Sequence, residues 1–292
     1  MVSTERLVEN AAHPELNPGV GAEAGGDAMQ LADKVCVITG AASGIGRATA
    51  LEMVGRGATV VVSDIDDAGG EALVEMIGEG GGTAAYVHAD MRSGADIAAL
   101  MDAAVERFGR LDVLHANAGV HETDFTHETR VDLLSEDVWD RVVDINLKAV
   151  WLCAKHAMPH LRAAGGGAIV NAASVGGLIG YPMGPAYCST KAAIMNLTRC
   201  MAIDFAPDNV RVNCYCPAAI ETAMTRKYWE AAEDKDAIQK ALIGSHLIRR
   251  LGQPEEVARL VCFLASDDAS FITGSAYVID GGSLAWRGTI MD

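Results

Sequence analysis

From Lys34 onward the chain repeats one rhythm: a short, nearly continuous apolar run, a turn rich in glycine or polar residues, then a longer stretch with helical spacing. Val35–Thr39 reads as a buried strand and 44–56 as a helix, and Ala58–Ser63 with 67–79 repeats the pair. Thr83–His88 with 93–108, and Leu111–His115 with 135–163, continue it. A strand at 168–172, a helix at 186–206 and a strand from Val210 to Cys214 follow. Strands that are apolar on both faces and alternate with helices predict a parallel sheet covered on both sides. The expectation is therefore one α/β domain over 32–292, with no internal break. Residues 1–31, rich in Gly, Ala, Glu and Asn and carrying Pro14 and Pro18, show no periodicity and read as a flexible tail. The charged, helical segment 221–245 is expected to form a small lid over a substrate.

Composition narrows the partners. The 292 residues are half hydrophobic, enough to bury a sizeable core. A net charge of −16 disfavours nucleic acid and anionic membrane surfaces. No apolar run reaches membrane-spanning length, and the N-terminus lacks the order of a signal peptide. The seven cysteines are scattered, and Cys214-x-Cys216 has no second ligand pair, so no metal is expected and the thiols read as small buried hydrophobes. A reducing cytoplasm is the simplest setting. The glycosylation-like Asn196-Leu197-Thr198 falls in a helical pattern and is discounted.

The first strand runs directly into Thr39-Gly40-Ala41-Ala42-Ser43-Gly44-Ile45-Gly46, which opens the first helix. Small residues there let the backbone approach a pyrophosphate, and the helix N-terminus favours its negative charge. Gly40, Ser43, Gly44, Ile45 and Gly46 are the candidates for that contact, although their spacing is G-x-x-x-G-x-G rather than G-x-G-x-x-G. Asp64, 18 residues after Gly46, can accept hydrogen bonds from an adenosine ribose and would repel a 2′-phosphate. No base stands within 40–46 or directly after Asp64, so NAD is preferred to NADP, with Ile65 beside the same ribose end. Asp90 is placed at the adenine edge with Met91 packing on the ring, and Asn117-Ala118-Gly119 turns close to the ribose. Any of these carboxylates could instead be an ordinary helix cap.

A second cluster carries acid–base chemistry. Tyr187 and Lys191 are four residues apart at the start of a helical run, so they share one face. A cation about 4 Å from the phenol, at an effective dielectric near 20, would favour phenolate by roughly 4 kcal/mol. That brings a group with a pKa near ~10 toward the range of an effective general base. Ser174, leaving the strand at 168–172, offers a second hydrogen bond to the same substrate oxygen. Tyr-x-x-x-Lys occurs by chance in many helices, and the cofactor loop elsewhere in the chain is what gives it weight.

Over 33–283 the chain resembles the short-chain dehydrogenase/reductase family, on the glycine loop, Asp90, Asn117-Ala118-Gly119, Asn146, Ser174, Tyr187-x-x-x-Lys191 and Pro217. Arg250-Leu251-Gly252-Gln253-Pro254-Glu255-Glu256-Val257-Ala258 and Thr273-Gly274 through Asp280-Gly281-Gly282 also look like its C-terminal region. The resemblance implies a seven-stranded Rossmann-type doubly wound sheet and hydride transfer between nicotinamide and a carbonyl or secondary alcohol. It implies Tyr187 as acid/base, Ser174 as orienter of the substrate oxygen, and Lys191 as the residue that lowers the Tyr187 pKa and holds the nicotinamide ribose. It further implies that Asn146 positions a water between Lys191 and solvent, and that Pro217, Ile220 and Thr222 meet the nicotinamide. A homotetramer, or a homodimer, built on 135–163, 186–206 and 275–280 is the implied assembly.

Three departures stand out. One Asn of the family's Asn-Asn-Ala-Gly is missing from His115-Ala116-Asn117-Ala118-Gly119. The family's Pro-Gly is Pro217-Ala218, which brings into question the nicotinamide loop, since Ala resists positive φ. The tail is the third.

The substrate candidates are Val175, Gly176, Leu178, Tyr181, Met183 and Gly184 between Ser174 and Tyr187, with Met224, Tyr228 and Trp229 from the lid. This mix favours an apolar alcohol or ketone, cyclic ones included, over a charged acid or a sugar phosphate. His121 and His127 are expected on the surface near the pocket mouth. Two other readings remain open: a 3-oxoacyl-carrier-protein-type reductase, which Asp64 opposes, and a non-catalytic NAD(H)-sensing protein, which the intact Ser174, Tyr187, Lys191 and Asn146 oppose.

Overall fold

The structure, a computed structural model, describes residues 30–285. Seven parallel strands, β1 (Val35–Thr39), β2 (Thr59–Asp64), β3 (Ala84–His88), β4 (Val113–Ala116), β5 (Gly167–Ala172), β6 (Val210–Pro217) and β7 (Ala276–Ile279), lie in the order β3-β2-β1-β4-β5-β6-β7. The chain winds outward from β1 to β3, then crosses back to β4 and continues the other way. The order therefore reverses between β1 and β4, which opens a crevice at the carboxyl ends of these strands, where ligands of such sheets bind.

Two apolar layers account for the runs read as buried strands. On one face, Val37, Val61, Leu114 and Ile169 pack under α3 (Gly94–Phe108), α5 (Ala149–Ala164) and α6 (Pro185–Phe205). On the other, Ile38, Val60, Val62 and Val170 pack under α1 (Gly44–Gly55), α2 (Asp67–Glu79) and α9 (Pro254–Ala265). At about 25 cal/mol per Å² of apolar surface, these two layers supply most of the driving force for the fold.

The expected elements are present, with instructive differences. The helix expected over 135–163 is α4 (Glu136–Val143), a π-helical turn at Asp144–Lys148 and α5, with Ser135 as N-cap and left-handed Gly165 as C-cap. The widened turn carries Asn146, whose buried side chain is committed to the loop after β4; such bulges often mark functional sites. β6 extends past Cys214 to Pro217, because Cys216 and Pro217 still pair with Val278 and Ile279 of β7. The expected tail lies outside the described residues except for its last two, and these are docked. Leu31 is fully buried and bonds to the Arg56 carbonyl, while Gln30 donates to Asp268 at 2.7 Å. The segment 221–245 forms two short helices, α7 (Ala223–Glu230) and α8 (Lys235–Gly244), capped by Thr222 and Asp234. No described helix is long and apolar enough to cross a membrane, and no group of three His, Cys, Asp or Glu side chains suited to a metal occurs among the described residues.

Candidate active site

A cleft of about 300 Å³ follows the crevice between β1 and β4. Gly40, Ser43, Gly44, Ile45, Asp64, Ile65, Asp90, Met91, Asn117, Ala118, Gly119, Tyr187, Lys191, Pro217 and Thr222 all line it. Two expected contacts do not. Gly46 stands behind the loop, where a Cβ would come within 2.2 Å of the Gly40 carbonyl oxygen, so its role is to let α1 pack against the loop. Ile220 faces away, buried and bridged to Gly252.

The residues present fit a dinucleotide. The N-cap Ser43 makes no side-chain cap hydrogen bond, which leaves the first amides of α1 to an anion such as a pyrophosphate. Gly40 and Gly44 take φ of +65° and +53°, a path closed to most side chains. Asp64 Oδ2 accepts from the Ala42 amide at 2.9 Å and Oδ1 from the Ile65 amide at 2.8 Å, which fixes the carboxylate at the cleft wall. Among the described residues lining the cleft, the one cation is Lys191, at the opposite end from Asp64. Asp90 lines the wall as expected, but both its oxygens are engaged by Arg92, the shorter contact at 2.6 Å, and this pairing holds its carboxyl below the usual range.

The missing family Asn has a structural substitute. Asn117 donates to the Thr39 and Gly40 carbonyls at 3.0 and 3.1 Å, while its Oδ1 accepts from Tyr215 Oη at 3.1 Å. With its proton spent on Asn117, the Tyr215 oxygen accepts from His115 Nε2 at 3.1 Å. His115 is fully buried, and burial pushes its imidazole down to about 3, so it stays neutral. The His115–Tyr215–Asn117 chain thus latches the glycine loop from below. The second departure also resolves: Ala218 is absent from the positive-φ residues and its amide bonds to the Ile279 carbonyl at 3.2 Å, so this loop does not need glycine there.

Ser174, Tyr187 and Lys191 converge where the cleft meets a second cavity. Ser174 Oγ accepts from the Gly176 amide at 3.0 Å, which sets the rotamer of the hydroxyl. Lys191 is buried, donates to the Ala172 carbonyl at 2.7 Å and stands 5.4 Å from the centroid of the Tyr187 ring. The expected cation beside the phenol oxygen is replaced by one over the ring, because the Ala172 carbonyl at the end of β5 draws the ammonium away. Desolvation consequently pushes the Tyr187 phenol up to about 12, against the pull of Ser174, and pushes Lys191 down to about 8. Asn146 Oδ1 accepts from the Val120 amide at 2.8 Å and its Nδ2 donates to the Val120 carbonyl at 2.9 Å. A Cβ on Gly119 would stand 3.3 Å from Asn146 Oδ1 and 3.5 Å from Lys191 Nζ, so the glycine leaves a space bordered by both groups.

Sequence reasoning missed Glu122. Its carboxylate is fully buried, and Oε1 accepts from the amides of Ala186 and Tyr187 at 2.6 and 2.8 Å, satisfying the first turn of α6. Burial pushes this carboxyl above its ordinary range against the pull of those amides.

The second cavity, about 370 Å³, shares Tyr187 with the cleft and is predominantly apolar. Val175, Tyr181, Met224 and Tyr228 line it as expected; Gly176, Leu178, Met183, Gly184 and Trp229 do not. Met183 instead takes the turn before α6 with φ of +68°. Ile179 and, from α8, Ile238 and Leu242 complete the apolar wall. His121 corrects an expectation: it is buried and lines the cavity, because the capping box at 121–124 folds the ring inward, whereas His127 is exposed.

Comparison with known proteins agrees with this architecture. The family model described as enoyl-(acyl carrier protein) reductase matches residues 40–283. The chain is 41% identical over 254 residues to cis-4-hydroxycyclohexanecarboxylate dehydrogenase of Sinomonas cyclohexanicum, covering 87% of this chain and 98% of that one. It is 42% identical over 250 residues to cyclohexanol dehydrogenase of Acinetobacter sp. (strain SE19), covering 85% and 94%. The crystal structure of levodione reductase superposes with a TM-score of 0.83 at 32% identity, covering 88% of this chain and all of the other. By sequence, sheet order and the arrangement of Ser174, Tyr187 and Lys191, the chain belongs to the short-chain dehydrogenase/reductase family of oxidoreductases.

Proposed function

We propose that the protein is an NAD-dependent dehydrogenase interconverting a secondary alcohol and a ketone on a small, apolar, cyclic substrate. One observation carries this reading: the apolar cavity of about 370 Å³ is lined by Ser174 and Tyr187, and Tyr187 also lines the glycine-loop cleft. Names of relatives, cyclohexanol dehydrogenase among them, support the substrate class. Asp64 without a neighbouring base in the cleft supports NAD over NADP.

When bound, the dinucleotide supplies the acceptor for the hydride that leaves the carbinol carbon. Tyr187 takes the hydroxyl proton in oxidation and returns it to the carbonyl oxygen in reduction. Ser174 donates a hydrogen bond to that oxygen and so favours its developing negative charge. Lys191, whose ammonium stands 5.4 Å from the centroid of the Tyr187 ring, is the nearby cation that favours phenolate once the site is loaded. The space between Lys191 and Asn146 suits a water that carries the proton away. Helices α7 and α8 act as a lid, Tyr228 donating to the Pro182 carbonyl at 3.0 Å across the cavity mouth.

The test is absorbance at 340 nm with NAD and NADP against cyclic, aromatic, steroidal and polyol alcohols. Turnover of cyclic secondary alcohols with NAD is expected. A clear NADP preference with acyl thioesters would overturn the reading in favour of a carrier-protein reductase; NADH binding without turnover of any alcohol would favour a sensor.

A further inference from the structure

The cavity beside Tyr187 is apolar except for a few groups, and most of its hydroxyls are spent. Tyr228 donates to the Pro182 carbonyl, Ser245 to the Leu242 carbonyl at 2.9 Å and Ser283 to Asp280 at 3.1 Å. His246 has its Nδ1 on the Arg250 carbonyl at 2.6 Å, so its Nε2 is an acceptor. His121 is different. Its side chain is 4% exposed, and its Nε2 is buried with no hydrogen-bond partner.

The other ring nitrogen fixes the tautomer. His121 Nδ1 accepts from the Thr123 amide at 3.3 Å, and Thr123 Oγ1 lies 3.0 Å away. A nitrogen that accepts from a backbone N–H carries no proton, so the neutral ring bears its hydrogen on Nε2. Neutrality follows from burial, which pushes the imidazole down to about 4. A ligand oxygen that accepts from this buried donor gives it the partner it lacks. Aromatic rings surround it, Tyr187 at 5.1 Å, Tyr228 at 5.2 Å and Tyr181 at 6.3 Å between centroids. Gly184 packs against one side of it, since a Cβ there would stand 3.1 Å from Nε2 and 2.9 Å from Tyr181 Cε2.

We propose that His121 Nε2–H is a specificity determinant that binds a second, uncharged oxygen of the substrate, across one carbocycle from the reacting carbon. The preferred substrates are then ring hydroxyketones, diols or diketones rather than simple cyclic alcohols. Charge argues against a carboxylate. No Lys or Arg lines the cavity among the described residues. Two carboxylates flank the ring, Glu122 Oε2 at 3.6 Å from Nδ1 and Asp124 on the His121 amide at 3.0 Å. This inference deepens the proposed function and rests on it for the reacting end of the substrate.

The test compares kcat/KM for cyclohexanol with that for cyclohexane-1,3-diol and cyclohexane-1,4-diol, in the native protein and in His121→Phe and His121→Gln. At least one diol should be preferred natively by about tenfold, the equivalent of one buried hydrogen bond. His121→Phe should abolish that ratio, and His121→Gln, which keeps an N–H donor, should restore part of it. An unchanged ratio in His121→Phe, or no native preference for either diol, would overturn the proposal. Independently, 15N NMR of histidine-labelled native protein should show the Nε2–H tautomer for His121. That resonance should shift when cyclohexane-1,4-dione is added with NAD, a pair that cannot react. An Nδ1–H tautomer, or no shift, would also overturn it. Should every alcohol fail to turn over while the shift appears, the proposed reaction falls and the recognition site stands.

Discussion

The buried carboxylate of Glu122 holds the backbone N–H of Tyr187 at 2.8 Å, and with it the first turn of the helix that carries Tyr187 and Lys191. The helix N-cap, Gly184, has no side chain to do this, so the cap arrives from a loop 65 residues earlier. Removing it leaves two buried amides without partners, each worth roughly 1–3 kcal/mol. Glu122→Ala should lose about 2–4 kcal/mol in urea denaturation and lower kcat, while Glu122→Gln, which keeps an acceptor oxygen, should stay within ~1 kcal/mol of native. Equal stability of the Ala variant would show that the amides find other partners.

Tyr187→Phe removes the proton acceptor and little else. Turnover should fall by at least about a thousandfold, while NADH affinity, read by fluorescence titration, should change by less than about threefold because the glycine loop and Asp64 are untouched. Retained turnover would defeat the acid–base assignment.

How much of this was legible in sequence depends on whether the signal is local. The strands were, because a sheet buried on both faces needs continuous apolar runs such as Val35–Thr39 and Thr59–Asp64. The glycine loop and the Tyr187–Lys191 pair, each marked by a short fixed spacing, do come together on one cleft. Glu122 and His121 were not legible, since they lie in a short capped turn after β4 and meet their partners through contacts with α6 and α7. The position of Lys191 was missed for a related reason: helical spacing places it near Tyr187, but the Ala172 carbonyl, at the end of β5, decides where the ammonium goes. Likewise, the substitution of Ala116 for the family Asn could be read, whereas the compensating His115–Tyr215 pair, 100 residues apart, could not.

Gly46 is held to glycine by packing. A Cβ at 2.2 Å from the Gly40 oxygen and 2.7 Å from Asn117 Nδ2 cannot be accommodated without moving the loop or breaking its latch. Gly46→Ala should cost roughly 3 kcal/mol by overpacking and should abolish dinucleotide binding at millimolar concentration. Calorimetry of the folded variant checks both effects, and native-like binding would show that the loop can shift at little cost.

Asp64→Asn keeps an oxygen for the Ala42 amide while removing the charge at the ribose end. A charge about 4 Å from a 2′-phosphate contributes between ~1 and ~4 kcal/mol of repulsion as the effective dielectric falls from 80 to 20. The ratio of kcat/KM for NAD to that for NADP should therefore drop by about tenfold or more. A native protein that already uses both equally would remove the basis of this expectation.

Lys191 makes stability depend on pH in a direction opposite to that of a paired lysine. Burial lowers its pKa from 10.5 to about 8, so between these values the unfolded chain binds more protons than the folded one. Stability contributed at this site must then rise with pH across that window, and the cost of burying the ammonium is full below about 8. Integrated over the shift, that cost is at most about 3 kcal/mol. Lys191→Met has no charge to bury, though it forgoes the bond to Ala172. The variant should therefore gain on the native protein at pH 7, and the gain should shrink as pH approaches 10. Reporting the difference between the two proteins cancels the titration of other tyrosines and thiols. Urea denaturation without dinucleotide at pH 7, 8.5 and 9.5 measures it, and a difference constant across the series would mean that Lys191 is not desolvated in the folded protein.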